Sequence, residues 1–342
     1  ISKEEIHEIF DSAKQAQSLW AEKPIKERAD ILLEAANLMD ENKNIIAEAI
    51  MVSVAKSRKE SLVEVERSSE IIRETVKQAL LTGEEVMPGD LVPSGSSRKE
   101  AHIRRMPLGV ILAIPPFNYP LNLAVSKIAP ALIMGNTMVL KPSTPGSLVG
   151  ILIGAVFERA GLPNAVLQVA TGKSSDIGDD LITNRHLRMI SLKKKKKTGE
   201  DITRKTSMIE HQMELGGKDP AIVLPDADIE KASSEILSGA FSYSGQRCTA
   251  IKRVFVFKEN KEKLVKEIVE KTASLTVGMP EDDCKITPLI DTKSADYVMS
   301  LIDDAVKKGA KNLTPITREA NLIHPVILDD VTEDMKVAWE EP

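Results

Sequence analysis

The stretch GVILAIPPFNYPLNLAVSKIAPALIMGNTMVL, residues 109 to 140, decides the fold of this chain. It opens with the short apolar run Gly109–Ile114, continues through a helical pattern over Leu121–Met134, and ends in a second apolar run, Thr137–Leu140. Short, fully apolar strands joined by a helix are typical of parallel βαβ units, in which helices cover both faces of the sheet. The stretch therefore predicts a parallel sheet that binds ligands at the carboxyl ends of its strands.

The alternation of strands and helices continues beyond this unit, so we predict an α/β fold. Residues 3–82 are predicted to be helical, beginning with an apolar stripe from Ile6 to Leu19 that Pro24 ends. Residues 83–97 are rich in Pro, Gly and Ser and are predicted to form a loop or a short-strand excursion. The further predicted elements are the helices Leu148–Ala160, Asp176–Thr183, Ile229–Phe241, 259–275 and 294–308 and the strands Val166–Ala170, Leu187–Leu192, Pro220–Leu224 and Ile251–Phe257.

Composition and charge narrow the class of protein. At about 150 residues per domain, 342 residues make two or three domains. Aromatic residues are only 3% and the net charge is −5, so we expect neither nucleic-acid binding nor attraction to anionic membranes. Two cysteines and five scattered histidines offer neither a disulfide framework nor metal-ligand spacing. Without a signal-peptide core or a bilayer-spanning apolar run, the sequence favours a cytoplasmic location.

Cys248 is the first candidate for chemistry. It follows a Gly-Gln-Arg turn between a predicted helix and a predicted strand, with Arg247 directly beside it. Thiolates are stabilised at electropositive turns, which makes Cys248 a candidate nucleophile. Taken alone, a free cysteine is more often a small buried hydrophobe, so the hypothesis depends on partners elsewhere in the chain.

Three other motifs supply such partners. Glu214 precedes two glycines, and a carboxylate in an apolar cleft can act as a general base. Asn118 lies in a Pro-Phe-Asn turn after the first strand, where its amide can donate to an oxyanion. Lys141 and Thr144 follow the second strand, where a lysine and hydroxyls could hold a nucleotide ribose or its phosphate. Each motif alone could be an ordinary loop, and the common G-x-G-x-x-G fingerprint is absent after the first strand.

Together these motifs resemble the aldehyde dehydrogenase superfamily. The resemblance rests on Phe-x-x-x-Gly-Gln-x-Cys ending at Cys248, on Met-Glu-Leu-Gly-Gly-Lys around Glu214, on the Pro-Phe-Asn turn, and on Lys-Pro-Ser-Thr from Lys141. Within the superfamily, residues 242–253, 286–297 and 330–342 are most similar to the non-phosphorylating glyceraldehyde-3-phosphate dehydrogenases. The implied fold is aldehyde dehydrogenase-like, with a Rossmann-type cofactor domain plus an α/β catalytic domain.

The resemblance also implies a division of the chain. Residues 1–82 and 107–213 would form the cofactor-binding domain, 83–106 would be part of the bridging or oligomerisation strands, and 214–342 would be a partial catalytic domain. Family members continue beyond the position of Pro342, so we expect the fold to be C-terminally incomplete. The full-length form is expected to be a homotetramer.

The resemblance implies a reaction as well. Cys248 would attack the aldehyde to give a thiohemiacetal, whose oxyanion Asn118 and the Cys248 N–H would hold. Hydride would leave for NADP, and Glu214 would activate the water that hydrolyses the resulting thioester. The expected substrate is glyceraldehyde 3-phosphate, oxidised to 3-phosphoglycerate in glycolysis without phosphorylation.

Further positions match substrate and cofactor residues of the family. Those implied for substrate binding are Arg67, Asn118, Tyr119, Arg247, Cys248 and Thr249. Those implied for cofactor binding are Pro115, Lys141, Thr144, Asp179, Leu215 and Glu341. Family members that prefer NAD often carry a glutamate at the position of Thr144, where it would repel a 2′-phosphate; the threonine therefore favours NADP.

One stretch departs from the family pattern. Lys193 to Lys197 stand where relatives carry a Thr-Gly-Ser type of loop, and lysine side chains there should crowd the pyrophosphate region of the cofactor. Because five adjacent like charges repel, we expect the run to stay in solvent.

Two alternatives remain open from the sequence. The chain could be another aldehyde dehydrogenase, acting on lactaldehyde or a semialdehyde. It could also be an inactive truncated fragment with a binding or structural role, which the lysine run and the position of Pro342 would favour.

Overall fold

Two compact units make up the protein, and each is described by itself. The computed structural model describes residues 1–91 and 98–342. The first unit comprises residues 1–46 and 64–214, and the second comprises residues 47–63 and 215–342.

Helices form most of the N-terminal third, as predicted. They are α1 (Lys3–Glu22), α2 (Ile25–Glu41), α3 (Lys43–Val54) and α4 (Arg58–Leu81). A capping box starts α1, since Ser2 Oγ accepts from the Glu5 N–H and Glu5 accepts from the Ser2 N–H. The predicted apolar stripe of α1 is correct at Ile6 but wrong at Leu19, which is 74% exposed while Trp20 is buried.

A five-stranded parallel sheet forms the centre of the first unit, in the order β5-β4-β3-β6-β7. Its strands are β3 (Val110–Ile114), β4 (Thr137–Leu140), β5 (Leu167–Val169), β6 (Leu187–Lys193) and β7 (Glu210–Glu214). The helices between them are α5 (Asn122–Ile133), α6 (Ser147–Arg159), α7 (Ser174–Ile182) and α8 (Lys196–Lys205). Every residue of β3 is buried, and alternate residues of it pack with Ile6 and Phe10 of α1 in one hydrophobic core. The predicted parallel sheet is thus confirmed.

The second unit contains a smaller parallel pair, β8 (Asp219–Val223) and β9 (Ile251–Val256). Helices α9 (Ile229–Phe241) and α10 (Lys258–Thr272) pack around a separate core that includes Val223 of β8. The remaining elements are α11 (Thr292–Lys307) and the short antiparallel strands β10 (Lys311–Asn312), β11 (Arg318–Glu319), β12 (Leu322–Ile323) and β13 (Leu328–Asp329).

Strands β1 (Glu85–Pro88) and β2 (Glu100–Ile103) pair antiparallel. The short-strand excursion predicted over residues 83–97 is confirmed at β1, and residues 92–97 of it lie outside the described part of the chain. The elements β7 and α8 and the short strands β10 to β13 were not predicted from the sequence. Among the described residues, no helix combines the length and apolarity needed to cross a membrane.

Candidate active site

The polar residues predicted in the first unit lie along one edge of its sheet. Because β3, β4, β6 and β7 are parallel, their carboxyl ends meet at the same edge. Pro115 follows β3, Lys141 follows β4, Lys193 ends β6 and Glu214 ends β7, paired in register with Lys193. Asn118 comes four residues after β3 ends, and it is only 8% exposed. The sheet therefore gathers the predicted base, amide and lysine on one side.

A buried carboxylate fixes the start of α5, close in sequence to Asn118. Glu64 of α4 is 2% exposed and accepts hydrogen bonds from the Leu121 N–H at 3.0 Å and the Asn122 N–H at 3.1 Å. The first N–H groups of a helix lack partners within the helix and favour negative charge, so Glu64 caps α5 from outside. This capping holds the end of the loop that carries Asn118.

Two lysines hold the Glu214 carboxylate, one at each oxygen. Lys127 Nζ of α5 is 3.6 Å from Oε1, and Lys193 Nζ is 3.7 Å from Oε2. The Lys127 side chain is only 2% exposed, whereas that of Glu214 is 41% exposed. Burial lowers the pKa of Lys127, Glu214 raises it, and Lys193 lowers it further. Glu214 is thus the counter-ion of a buried ammonium.

The lysine run divides into an inner and an outer part. The expectation that it stays in solvent is wrong for Lys193, whose side chain is 12% exposed and paired with Glu214. It is also wrong for Lys194, which is partly buried and whose pKa is lowered by burial. Lys195 to Lys197 are exposed, as expected, and Lys195 directly precedes α8. Pairing with Glu214 explains how the first lysine of the run can lie away from water.

Lys141 is a buried ammonium at the sheet edge. It is 2% exposed and donates to the Pro142 carbonyl at 3.1 Å. Burial, with a smaller contribution from Lys194, lowers the pKa of Lys141 to about 8. An anion bound near Lys141 would stabilise this buried ammonium and offset the repulsion from Lys194.

The other cofactor and substrate positions of the first unit are more open. Thr144 is exposed, and the exposed Asp179 of α7 accepts from Lys205 Nζ at 2.7 and 2.8 Å. Tyr119 is half-buried. Arg67 is exposed on α4 and lines a cavity of about 350 Å³ together with Glu70, Ile71, Glu74 and Asn122. Two carboxylates share that cavity with one guanidinium, so its charge alone does not favour a dianion.

The nucleophile candidate, Cys248, comes shortly after a turn of the second unit that contains left-handed residues. The turn is Ser242–Gly245, and within it Tyr243 has a φ of 49°, Ser244 of 53° and Gly245 of 74°. Residues other than glycine rarely adopt this conformation, at a cost of roughly 1–2 kcal/mol each. The turn delivers the chain to Cys248, which is half-buried, and Arg247 donates to the Ser242 hydroxyl.

Tertiary contacts hold this turn in place. Tyr243 is 1% exposed, and its hydroxyl donates to the Val54 carbonyl at 2.7 Å, while its N–H donates to Glu60 at 3.2 Å. Lys56 Nζ lies 4.6 Å from the centre of the Tyr243 ring. The hydroxyl of Ser244 donates to the Thr287 carbonyl at 2.8 Å. The buried tyrosine therefore anchors the segment before the cysteine.

The remaining predicted positions of the second unit are Thr249, next to Cys248 in the sequence, and Leu215 and Glu341, which lie at Gly216. Thr249 is exposed, and its hydroxyl lies 3.5 Å from Arg247. Glu341 packs on Gly216, where a Cβ would lie 1.8 Å from Glu341 Oε2. A side chain at position 216 would displace that carboxylate, and Leu215, directly before Gly216, is half-buried.

Comparison with known proteins identifies the chain. The profile described as "Aldehyde dehydrogenase family" matches residues 1–342. The chain belongs to the aldehyde dehydrogenase family. This membership agrees with the resemblance read from the motifs around Cys248 and Glu214, and the aldehyde dehydrogenase fold is confirmed.

Several relatives of this aldehyde dehydrogenase carry one name. The NADP-dependent glyceraldehyde-3-phosphate dehydrogenase of Streptococcus equinus is 46% identical over 342 residues, which cover 100% of this chain and 72% of the relative. That of Pisum sativum is 45% identical over 347 residues, covering 100% and 69%. A crystal structure of the Bacillus halodurans C-125 enzyme of this name, complexed with NADP, is 52% identical with a TM-score of 0.98, covering 100% of this chain and 72% of that one.

Four residues that contribute to the two units were not identified as functional candidates from the sequence. Lys127 had a signal, since it is the one charge within the apolar helical pattern of residues 121–134. Glu64, Tyr243 and Lys252 gave none, because each acts through partners far away or through backbone atoms. The Lys252 side chain is 3% exposed, and its ammonium donates to the carbonyl of Cys248.

Proposed function

We propose that this chain oxidises glyceraldehyde 3-phosphate to 3-phosphoglycerate with NADP, without adding inorganic phosphate. The observation that carries the proposal is similarity along the entire chain to relatives of that name at 43–46% identity. Cys248, Glu214 and Asn118 are present in the motifs that perform this chemistry in the family. Glu214 and Asn118 belong to the first unit and Cys248 to the second.

The proposed roles follow from the chemistry of each side chain. The Cys248 thiolate attacks the aldehyde carbon, and the Asn118 amide and the Cys248 N–H donate to the oxygen that gains charge. The nicotinamide of NADP, when bound, supplies the hydride acceptor. Glu214 takes a proton from the water that attacks the thioester, which releases the acid and regenerates the thiol.

The residues present fit an anionic nucleotide. Lys141 is a buried ammonium with an excess of positive charge around it, and Lys194 adds to that charge. We propose that Lys141 and Thr144 hold the ribose and 2′-phosphate on the adenine side. Glu341, seated on Gly216, would hold the ribose on the nicotinamide side. Pro115, Asp179 and Leu215 complete the proposed cofactor positions.

Arg247 is the favoured contact for the substrate phosphate. Its guanidinium is half-buried next to the nucleophile and already donates to Ser242 and Thr249 hydroxyls, so it can offer further N–H donors to a dianion. Tyr119 and Thr249 are proposed to assist. The role proposed for Arg67 is weaker because Glu70 and Glu74 line the same cavity.

The wider setting is proposed on the family resemblance. Residues 1–82 and 107–213 would bind the cofactor, residues 83–106 would take part in assembly, and residues 214–342 would carry the nucleophile. We further propose a cytoplasmic homotetramer that acts in glycolysis.

A direct assay tests the proposed activity. The chain is mixed with NADP and glyceraldehyde 3-phosphate in buffer free of phosphate, and NADPH is followed by absorbance. We expect turnover that Cys248→Ser reduces by about a thousandfold or more. Cys284→Ser, which changes the other cysteine, is the matched control and should retain the activity. Absence of NADPH from a folded sample, or equal loss in both variants, would contradict the proposal.

Two variants separate the proposed roles. Glu214→Gln should still give a burst of one NADPH per chain while steady turnover falls, because only thioester hydrolysis needs the base. Arg247→Ala should lower turnover of glyceraldehyde 3-phosphate while leaving an unphosphorylated aldehyde such as lactaldehyde largely unaffected. Equal losses on both aldehydes would favour a different substrate class.

A further inference from the structure

Lys252 is a buried cation next to the turn that carries Cys248. It is the second residue of β9, and its side chain is only 3% exposed. Burying an ammonium in this way is costly unless it is paired and hydrogen-bonded. The partners of Lys252 therefore indicate what the charge does.

Three backbone carbonyls of the turn converge on the Lys252 ammonium. Nζ lies 2.8 Å from the Cys248 oxygen, 3.0 Å from the Arg247 oxygen and 3.4 Å from the Ala250 oxygen. An ammonium has three N–H donors, so these carbonyls use its full capacity. The carbonyl of the nucleophile residue receives the shortest of the three bonds.

The turn has little other regular structure to define its path. Tyr243, Ser244 and Gly245 are left-handed and β9 begins at Ile251, and the backbone bonds described between them are short-range turn bonds from the N–H groups of Gln246, Arg247 and Ala250. Charge-assisted hydrogen bonds to carbonyls are stronger than neutral ones. Lys252 therefore adds charge-assisted contacts to the backbone bonds that already order the turn at the cysteine.

The same ammonium also brings positive charge close to the thiol. Burial lowers the pKa of Lys252, whereas Glu341, Asp219 and Cys248 raise it, and Arg247 lowers it. Glu341 Oε1 is 3.9 Å from Nζ and forms an ion pair with it. Because Nζ bonds the Cys248 carbonyl at 2.8 Å, this positive charge lies next to the residue that carries the thiol.

We propose that Lys252 is a positioning residue for Cys248. The Lys252 ammonium binds the Arg247, Cys248 and Ala250 carbonyls of the turn and keeps a positive charge beside the thiolate. This inference rests on the proposed function only in treating Cys248 as the nucleophile. It assigns the orientation and the activation of the thiol to a residue whose described contacts are with the backbone of the turn and with Glu341.

Alkylation of the thiol tests this role without aldehyde or NADP. All variants carry Cys284→Ser, so that iodoacetamide reports on Cys248 alone, and the rate is measured from pH 5 to 10. We expect Lys252→Met to raise the midpoint of the alkylation profile by about 0.5–1 pH unit and to slow the reaction at pH 7 roughly three- to tenfold. Lys252→Arg keeps the charge and should restore much of the parent profile.

The control is Lys266→Met on α10, which removes an exposed lysine paired with Glu270 and should leave the profile unchanged. An unchanged midpoint in a folded Lys252→Met variant would overturn the proposal, as would a failure of Lys252→Arg to move the midpoint back toward the parent. If Lys252→Met does not fold, the alkylation midpoint of Glu341→Gln tests the proposal instead. By removing the opposing carboxylate it should lower the midpoint, and an unchanged or higher midpoint overturns the proposal.

The alkylation result also stands apart from the proposed activity. A chain that makes no NADPH but shows the expected midpoint shifts would refute the proposed substrate and retain the role of Lys252. A chain that makes NADPH but shows no midpoint shifts would support the proposed substrate and refute the role of Lys252.

Discussion

The first unit should be sensitive to the loss of the Glu214 charge. In Glu214→Gln, the Lys127 ammonium stays 2% exposed but loses its carboxylate partner at 3.6 Å. The Coulomb energy at that separation is about 1 kcal/mol in water and about 5 kcal/mol at an effective dielectric constant of 20. Because the Glu214 side chain is 41% exposed, water screens the pair, and we expect a stability loss of about 1–2 kcal/mol.

This loss should depend on pH with a definite sign. Burial already holds the pKa of Lys127 below its usual range, and without Glu214 that pKa falls further. Below the folded-state pKa the lysine is charged in both states, so the full penalty is present. As pH rises toward the unfolded value of about 10.4, the folded state loses its proton first and the penalty disappears. The variant should therefore recover stability relative to the parent between neutral pH and pH 10.

Thermal unfolding at pH 7 and pH 9.5 is the measurement, with an expected midpoint decrease on the order of 2–4 °C at the lower pH. Glu210→Gln, which changes an exposed residue of the same strand, is the matched control. The double variant Lys127→Met with Glu214→Gln should regain most of the loss, since no buried charge remains. Equal stability of Glu214→Gln and parent at pH 7, or a deficit that persists unchanged at pH 9.5, would refute the reasoning.

Three further predictions concern buried polar groups. Because the pKa of Lys141 is about 8, the affinity for NADP should fall as pH rises through 8, and Lys141→Met should weaken binding at pH 7 and abolish that dependence in NADP titrations. Tyr243→Phe should cost about 1–2 kcal/mol in chemical denaturation, because it leaves the buried Val54 carbonyl without its 2.7 Å donor. Glu64→Leu should cost about 1–3 kcal/mol by leaving two N–H groups of α5 uncapped, whereas Glu66→Leu on the exposed side of α4 should change stability by well under 1 kcal/mol.

The central sheet could be predicted because its strands are short and apolar. The run Gly109–Ile114 is entirely apolar, so its burial could be predicted, and the structure places β3 there with every residue buried. Strand β7 escaped because its sequence, Glu-His-Gln-Met-Glu, is polar and it is the edge strand of the sheet that the described residues form. Helix α8 escaped because Ile202 is its single large apolar residue, so its sequence shows no repeated apolar stripe.

The site could be predicted at the level of residue type but not of partners. Glu214 was identified from its glycine-rich motif, whereas its two lysines come from α5 and β6 and meet it only once the sheet forms. Solvation of the whole lysine run was expected from like-charge repulsion, and Glu214 reverses that expectation for Lys193. The contacts of Lys252 are to backbone oxygens, which leave no trace in the pattern of side chains.

The left-handed turn before Cys248 also has a consequence for the order of folding. Local sequence disfavours the backbone angles of Tyr243 and Ser244, so the turn gains its stability from docking against residues 47–63, including the Tyr243 hydroxyl bond to Val54 across 189 positions. Contacts of such sequence separation form slowly because the loop between them must first close. At a synthesis rate of about 5–20 residues per second, Val54 leaves the ribosome roughly 10–40 s before Tyr243 does. The nucleophile therefore acquires its geometry only after the Tyr243 segment has docked on residues 47–63, and a nascent chain carries an unassembled thiol until that docking is complete.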